Sequence, residues 1–228
     1  MIDQKIKLIT GSLLHDIGKV VYREGSDRRN HSVSGYDFLK EEGKIEDKEI
    51  LDCVRYHHFS EIKSAHLKED NLAYIVYLAD NIAAFADRRK KEDTEEKGFD
   101  LSVPLQSVFN VLNGNNQSFY YQPGDMDDQG KINYPASEKK PFSREFHMKI
   151  CQRMLDNFRG MNWSEEYLNS LLAVMEANLS YMPSSTANEE LSDISLFDHV
   201  KLTAAISSCI YDYLNENHLS YKTELFDK

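Results

Sequence analysis

The sequence predicts an all-α protein, a helical bundle carrying one small β-hairpin or loop insertion, and three observations support this. Apolar residues recur at helical spacing up to about residue 90 and again from about residue 143. Turn residues alternate with aromatics between Lys91 and Phe142. With 228 residues, of which 41% are hydrophobic and 29% charged, the chain has material for a single folded domain spanning 1–228.

The elements follow in order. Helices are predicted over about 3–16, 34–42, 46–58, 70–90, 143–159, 164–179 and 196–216. The helix at 46–58 presents an apolar stripe of Ile50, Cys53, Val54 and His57, and the one at 70–90 contains Tyr74-Ile75-Val76-Tyr77-Leu78-Ala79. Gly160 sits just past the fifth helix, and Ser164 before Glu165-Glu166 is a good cap for the sixth. The insertion, about 91–142, holds Val103-Pro104-Leu105, Asn113-Gly114-Asn115-Asn116, Phe119-Tyr120-Tyr121 and Asp127-Asp128-Gln129-Gly130, which suggests a short hairpin. A Ser/Asn/Glu-rich loop, Met182 to Ser192, is expected to be mobile, and 217–228 is expected as a tail leading to a downstream domain.

Composition narrows the function classes. No apolar run approaches the roughly 20 residues needed to cross a bilayer, and the N-terminus lacks a basic region followed by an apolar core, which predicts a cytoplasmic protein with no membrane partner. Cys53, Cys151 and Cys209 are far apart, suggest neither disulfides nor a thiolate zinc site, and are expected to be buried. A net charge of −11 weighs against tight nucleic-acid binding. Basic residues nonetheless cluster at Arg23, Arg28-Arg29, Arg88-Arg89-Lys90-Lys91 and Lys139-Lys140, where solvated loop and helix ends are the alternative to a binding surface.

The chemistry concentrates in four His/Asp clusters on separate helices. In Leu13-Leu14-His15-Asp16-Ile17-Gly18-Lys19, an adjacent His-Asp pair against Leu and Ile is costly to bury unless a cation pairs with it; a salt bridge to Lys19 is the alternative. Tyr56-His57-His58 puts His57 on a buried face, where a satisfied core histidine is the alternative to a ligand, and His31 taken alone reads as a loop or capping residue. Asp80 has Val76, Tyr77, Ala83 and Ala84 as helical neighbours, so it needs a cation unless it lies at the wet edge of the stripe. His199 heads a stripe of Leu202, Ile206 and Ile210, with Asp198 placed either to accept from its ring or to cap the helix. Helical proteins assemble internal metal centres in this way, and histidine with carboxylate suits Mn, Fe, Ni, Co or Zn. A dinuclear centre would activate water and clamp phosphate oxygens at two points.

In order, His15-Asp16, His31, His57-His58 and Asp80 resemble the HD superfamily of metal-dependent phosphohydrolases, whose isolated first His is missing from the N-terminus here. That His appears instead in Asp198-His199 ahead of the last long helix, a circularly permuted order that resembles the HD domain of the large subunit of type III-A CRISPR effector complexes. Gly11–Lys19, Leu78–Ala84, Ser195–Ala205 and the insertion segment Leu101–Val111 carry the resemblance, which spans 1 to about 217. It implies a permuted HD helical bundle and a single-strand deoxyribonuclease acting in antiviral defence with one or two divalent ions, Mn, Ni or Co ahead of Mg or Zn. It further implies single-stranded DNA as substrate, with protein subunits and a guide RNA as partners through the full-length protein. By position, His15, Asp80 and His199 would hold one metal, Asp16 would bridge, and His31, His57 and His58 would serve the second. Lys19 would bind the scissile phosphate or orient water, and Arg88, Arg89 and Lys90 are local candidates for DNA contact. An HD phosphohydrolase of nucleotides or cyclic dinucleotides is the rival enzyme reading, and a catalytically silent scaffold docking partner subunits is the rival from another class.

Overall fold

A computed structural model of the chain describes residues 3–25, 27, 29–87, 90, 97–112, 117–124 and 133–227. Its helices are α1 (Gln4–Leu14), α2 (Gly18–Glu24), α3 (His31–Asp37), α4 (Lys48–Arg55), α5 (Phe59–Ser64), α6 (Ala73–Asp87), α7 (Phe109–Leu112), α8 (Arg144–Phe158), α9 (Leu168–Leu179), α10 (Leu196–Glu216) and α11 (Tyr221–Leu225). Side-chain oxygens set several starts: Asp3 accepts from the amides of Lys5 and Ile6, Asp47 from Glu49 and Ile50, and Ser195 from Asp198.

At the centre, α1 packs on α4 and α10, and α10 packs in turn on α6. Leu8, Leu14, Ile50 and Val200 are fully buried at these contacts, each contributing on the order of 2 kcal/mol. One apolar cluster joins α1 and α2 to α8, α9 and the start of α10; a second joins Leu8 and Cys53 to Tyr74, Ile75, Leu214 and Tyr221. His15-Asp16 follows α1 directly, so the chemistry-bearing pair emerges between the two.

Gly18 explains a local detail of the His-Asp motif. A Cβ there would lie 1.8 Å from the His31 carbonyl oxygen, and one on Gly35 would lie 2.9 Å from the Gly18 nitrogen. Only glycine at both positions lets α2 and α3 approach closely enough to bring His31 beside Asp16.

Several expectations are corrected. The helix expected at 34–42 begins at His31 and continues past Asp37 as a π-helical turn, Phe38–Glu42. Ser164 makes no side-chain cap; Glu165–Tyr167 is a 3-10 turn leading into α9. The insertion is present, but in place of a hairpin ladder its described residues carry isolated antiparallel bridges, Gln106↔Tyr120 and Tyr120↔Ala136. Pro104, Pro123 and Pro135 flank these bridges and remove the donors a ladder needs. The turns expected at Asn113–Asn116 and Asp127–Gly130 lie outside the described residues.

The loop 182–192 is not a free strap. Ser184 donates to Ile194, Gln106 to Ser192 and Asp100 to Thr186, so its polar backbone is satisfied across to the insertion. Nor is 217–227 a bare tail, since α11 packs on α6 and the Phe226 ring lies 5.7 Å from that of Tyr74. Of the cysteines only Cys53 is buried; Cys151 is half-buried and Cys209 exposed on α10. Among the described residues no helix is long and apolar enough to cross a membrane.

Candidate metal centre

Asp16 sits at the centre of the site, about 1% exposed, and its two carboxylate oxygens face different partners. Oδ2 lies 3.4 Å from His15 Nε2, 3.3 Å from His199 Nε2 and 2.6 Å from Lys19 Nζ. Oδ1 lies 3.2 Å from His31 Nε2 and 3.8 Å from His57 Nε2. Asp80 Oδ1 closes the first set, 3.5 Å from His15 Nε2 and 3.1 Å from His199 Nε2. His58 closes the second, its Nε2 2.8 Å from His31 Nε2. Two groups result, His15/Asp16/Asp80/His199 and His31/His57/His58, each with ligand atoms within 4.8 Å of one another.

The backbone fixes which ring nitrogens face inward. His15 Nδ1 lies 2.7 Å from the Ser12 carbonyl and His57 Nδ1 2.7 Å from that of Val54. A carbonyl only accepts, so in both rings Nδ1 carries a hydrogen and Nε2 is the nitrogen that faces Asp16. His15 Nε2 is buried and makes no hydrogen bond of good geometry. A buried, inward-facing imidazole nitrogen among carboxylates is the donor set a divalent cation requires, so the residues fit one.

Charge supports the same conclusion. Burial opposes a proton on His15, but Asp16 and Asp80 outweigh it and raise the ring to about 9; burial likewise opposes one on His199, which Asp16, Asp80 and Asp87 raise to about 10. The carboxylates draw positive charge into the first group, and a divalent cation supplies it by displacing those protons. In the second group burial and neighbouring histidines keep His57 well below the usual imidazole range, and burial with His31 lowers His58 to about 4, leaving neutral nitrogens. Burial works against charge on Asp16 and Asp80, yet Lys19 and His15 for the former, and His15 and His199 for the latter, hold both well below the usual carboxylate range.

All seven sequence-predicted ligands therefore converge, from α3, α6, α10 and the segments that follow α1 and α4. The Asp16–Lys19 bridge weighed as an alternative is present, but it engages only Oδ2 and leaves Oδ1 to the histidines. Asp198 does not orient His199: it is exposed and accepts from Ser195 Oγ at 2.7 Å. That role falls to Asp87, missed in the sequence, whose Oδ2 lies 2.8 Å from His199 Nδ1. Its spacing of seven from Asp80, two turns along α6, is the signal that could have found it. Lys90 is exposed and its backbone forms an isolated antiparallel β-bridge with Glu190, while Arg88 and Arg89 lie outside the described residues.

The HD domain family matches residues 1–84, which include six of the seven candidate ligands and leave out His199, as the permuted order requires. A relative from Enterococcus italicus described as "CRISPR system single-strand-specific deoxyribonuclease Cas10/Csm1 (subtype III-A)" is 40% identical over 98% of this chain. The chain belongs to the Cas10/Csm1 family of subtype III-A. A Cas10/Csm1 protein of Mycobacterium tuberculosis is 37% identical over 99% of the chain. The crystal structure of Csm1 from T. onnurineus shares the fold, with a TM-score of 0.65 and 25% identity over 91% of the chain. The chain spans 31% of the length of the first two Cas10/Csm1 relatives and 29% of the third, so the match is to the HD portion of the family. A divalent metal is what an HD domain holds.

Proposed function

We propose that the chain is the metal-dependent single-strand deoxyribonuclease portion of a type III-A CRISPR large subunit, acting in antiviral defence. The observation that carries this reading is the division of Asp16, one carboxylate oxygen toward each of two ligand groups, the disposition of a bridging ligand between two ions. In it His15, Asp80 and His199 would hold one ion, Asp16 would serve both, and His31, His57 and His58 would hold the second. Seven ligands rich in imidazole favour Mn, Ni or Co over Mg. Bound ions supply Lewis acidity for water and phosphate oxygens.

The remaining work belongs to the chain itself. Lys19, 2.6 Å from Asp16 and with its side chain 19% exposed, offers a positive charge to a phosphate entering beside the ligands. Asp87 keeps the His199 ring aimed inward. The −11 net charge keeps the isolated domain's DNA affinity low, so Lys90, with Arg88 and Arg89, needs help from partner subunits and guide RNA to deliver a strand.

A manganese-dependent assay comparing labelled single-strand DNA, duplex DNA, RNA and cyclic dinucleotides tests the reading. Cleavage of the single strand alone is expected. Turnover of cyclic dinucleotides instead would install the rival phosphohydrolase, and absence of stoichiometric metal in the purified protein would install the scaffold.

A further inference from the structure

A cavity of about 550 Å³ opens beside the ligand groups, running from His31, His199 and Lys19 to Phe99 on the insertion. Its size suits one nucleotide unit and excludes a base still stacked and paired in a duplex. Phe99 is the unusual member of its lining: a large apolar side chain, 75% exposed, on a backbone that is tightly held. Asp100 donates to Thr186 at 2.9 Å, Asn188 donates to Gly98 at 2.9 Å, and Phe99 pairs with Ala187 in an antiparallel bridge. A ring carried on a backbone held in this way is presented for stacking without any further ordering of the chain that bears it.

Charge orients the occupant. The cations Lys19 and Arg23 line the cavity, and Lys19 marks its ligand end through its bond to Asp16. Glu189 and Glu190 line the wall next to Ala187, where Phe99 is bridged, and disfavour a phosphate there. Resting on the nuclease reading above, we propose that this cavity is a slot for one unpaired base of the DNA strand, stacked on Phe99 with its phosphate toward Lys19.

The test measures binding and cleavage separately. Metal-free protein is titrated against a single-strand oligonucleotide carrying 2-aminopurine, comparing wild type, Phe99→Ala and Phe99→Trp; thermal melting checks that each stays folded. Stacking predicts that Phe99→Ala weakens binding roughly 5- to 100-fold and that Phe99→Trp restores it. With manganese, Phe99→Ala is expected to raise KM more than it lowers kcat. An abasic site walked along the substrate should reproduce that loss at one register from the cut in wild type, and add nothing there in Phe99→Ala. Binding by Phe99→Ala equal to wild type, or abasic losses that multiply with it at every register, would overturn the slot. Should wild type bind the strand but cleave nothing with any metal, the nuclease reading fails while the binding comparison still decides the slot.

Discussion

Asp87 holds His199 from behind: its Oδ2 lies 2.8 Å from Nδ1, while Nε2 on the far side of the ring lies 3.1 Å from Asp80. The two acids sit two turns apart on α6 and grip one histidine of α10 from both edges. Asp87→Ala is therefore expected to weaken divalent metal binding about 10- to 100-fold, the usual cost of losing an orienting carboxylate. Asp87→Asn keeps an acceptor oxygen and should lose less. Manganese titration by calorimetry checks both, and wild-type affinity in Asp87→Ala would remove Asp87 from the centre.

His15→Ala and Asp16→Ala are expected to abolish cleavage while the protein remains folded. Among the described residues Asp16 is the carboxylate that lies within 4 Å of histidine nitrogens of both groups, so its loss should empty both positions, which elemental analysis reads directly. Wild-type cleavage in the double variant would refute the site assignment.

Gly18→Ala should disturb the centre without touching a ligand. The added Cβ must displace the His31 backbone, 1.8 Å away, which costs about 1–3 kcal/mol of overpacking and withdraws His31. The expected result is a lower urea midpoint with metal content reduced in the His31 group. An unchanged midpoint would show that α2 and α3 are not locked together.

Metal removal is expected to lower stability. Binding only to the folded state adds about 2.7 kcal/mol at a metal concentration 100 times Kd, so chelation should lower Tm by several degrees and manganese should restore it. Superposable melts with and without chelator would argue for the scaffold.

His147 predicts a pH effect away from the metal. It is 2% exposed, stacks on Phe142, and neither ring nitrogen is hydrogen-bonded among the described residues. Burial, then the Arg23 charge, lowers it to about 4 from an unfolded value near 6.5. Between those values the unfolded chain binds the extra proton, so this contribution, about 1–3 kcal/mol, is present above pH 6.5 and is lost as pH falls toward 4. His147→Phe should flatten the fall in Tm over that window, and a parallel fall in both proteins would exclude His147 as its cause.

The sequence by itself determined the elements that rest on local periodicity and the candidate ligands that the fold brings together. The long helices α1, α6, α8 and α10 lie within a few residues of their predicted spans, because an apolar stripe at helical spacing has only one way to be buried. His15, Asp16, His57, Asp80 and His199 were legible because a titratable group on an apolar face needs a partner. The short helices α2, α5, α7 and α11 were not, since pieces of four to seven residues are stabilised by what they pack on rather than by their own pattern. Which oxygen of Asp16 meets which histidine, the choice of Asp87 over Asp198 behind His199, and the clasp between Gly18 and Gly35 were decided only by tertiary structure. Each depends on a distance between groups remote in sequence, and helix packing sets such distances to within an ångström, whereas sequence periodicity specifies only the face on which a residue lies.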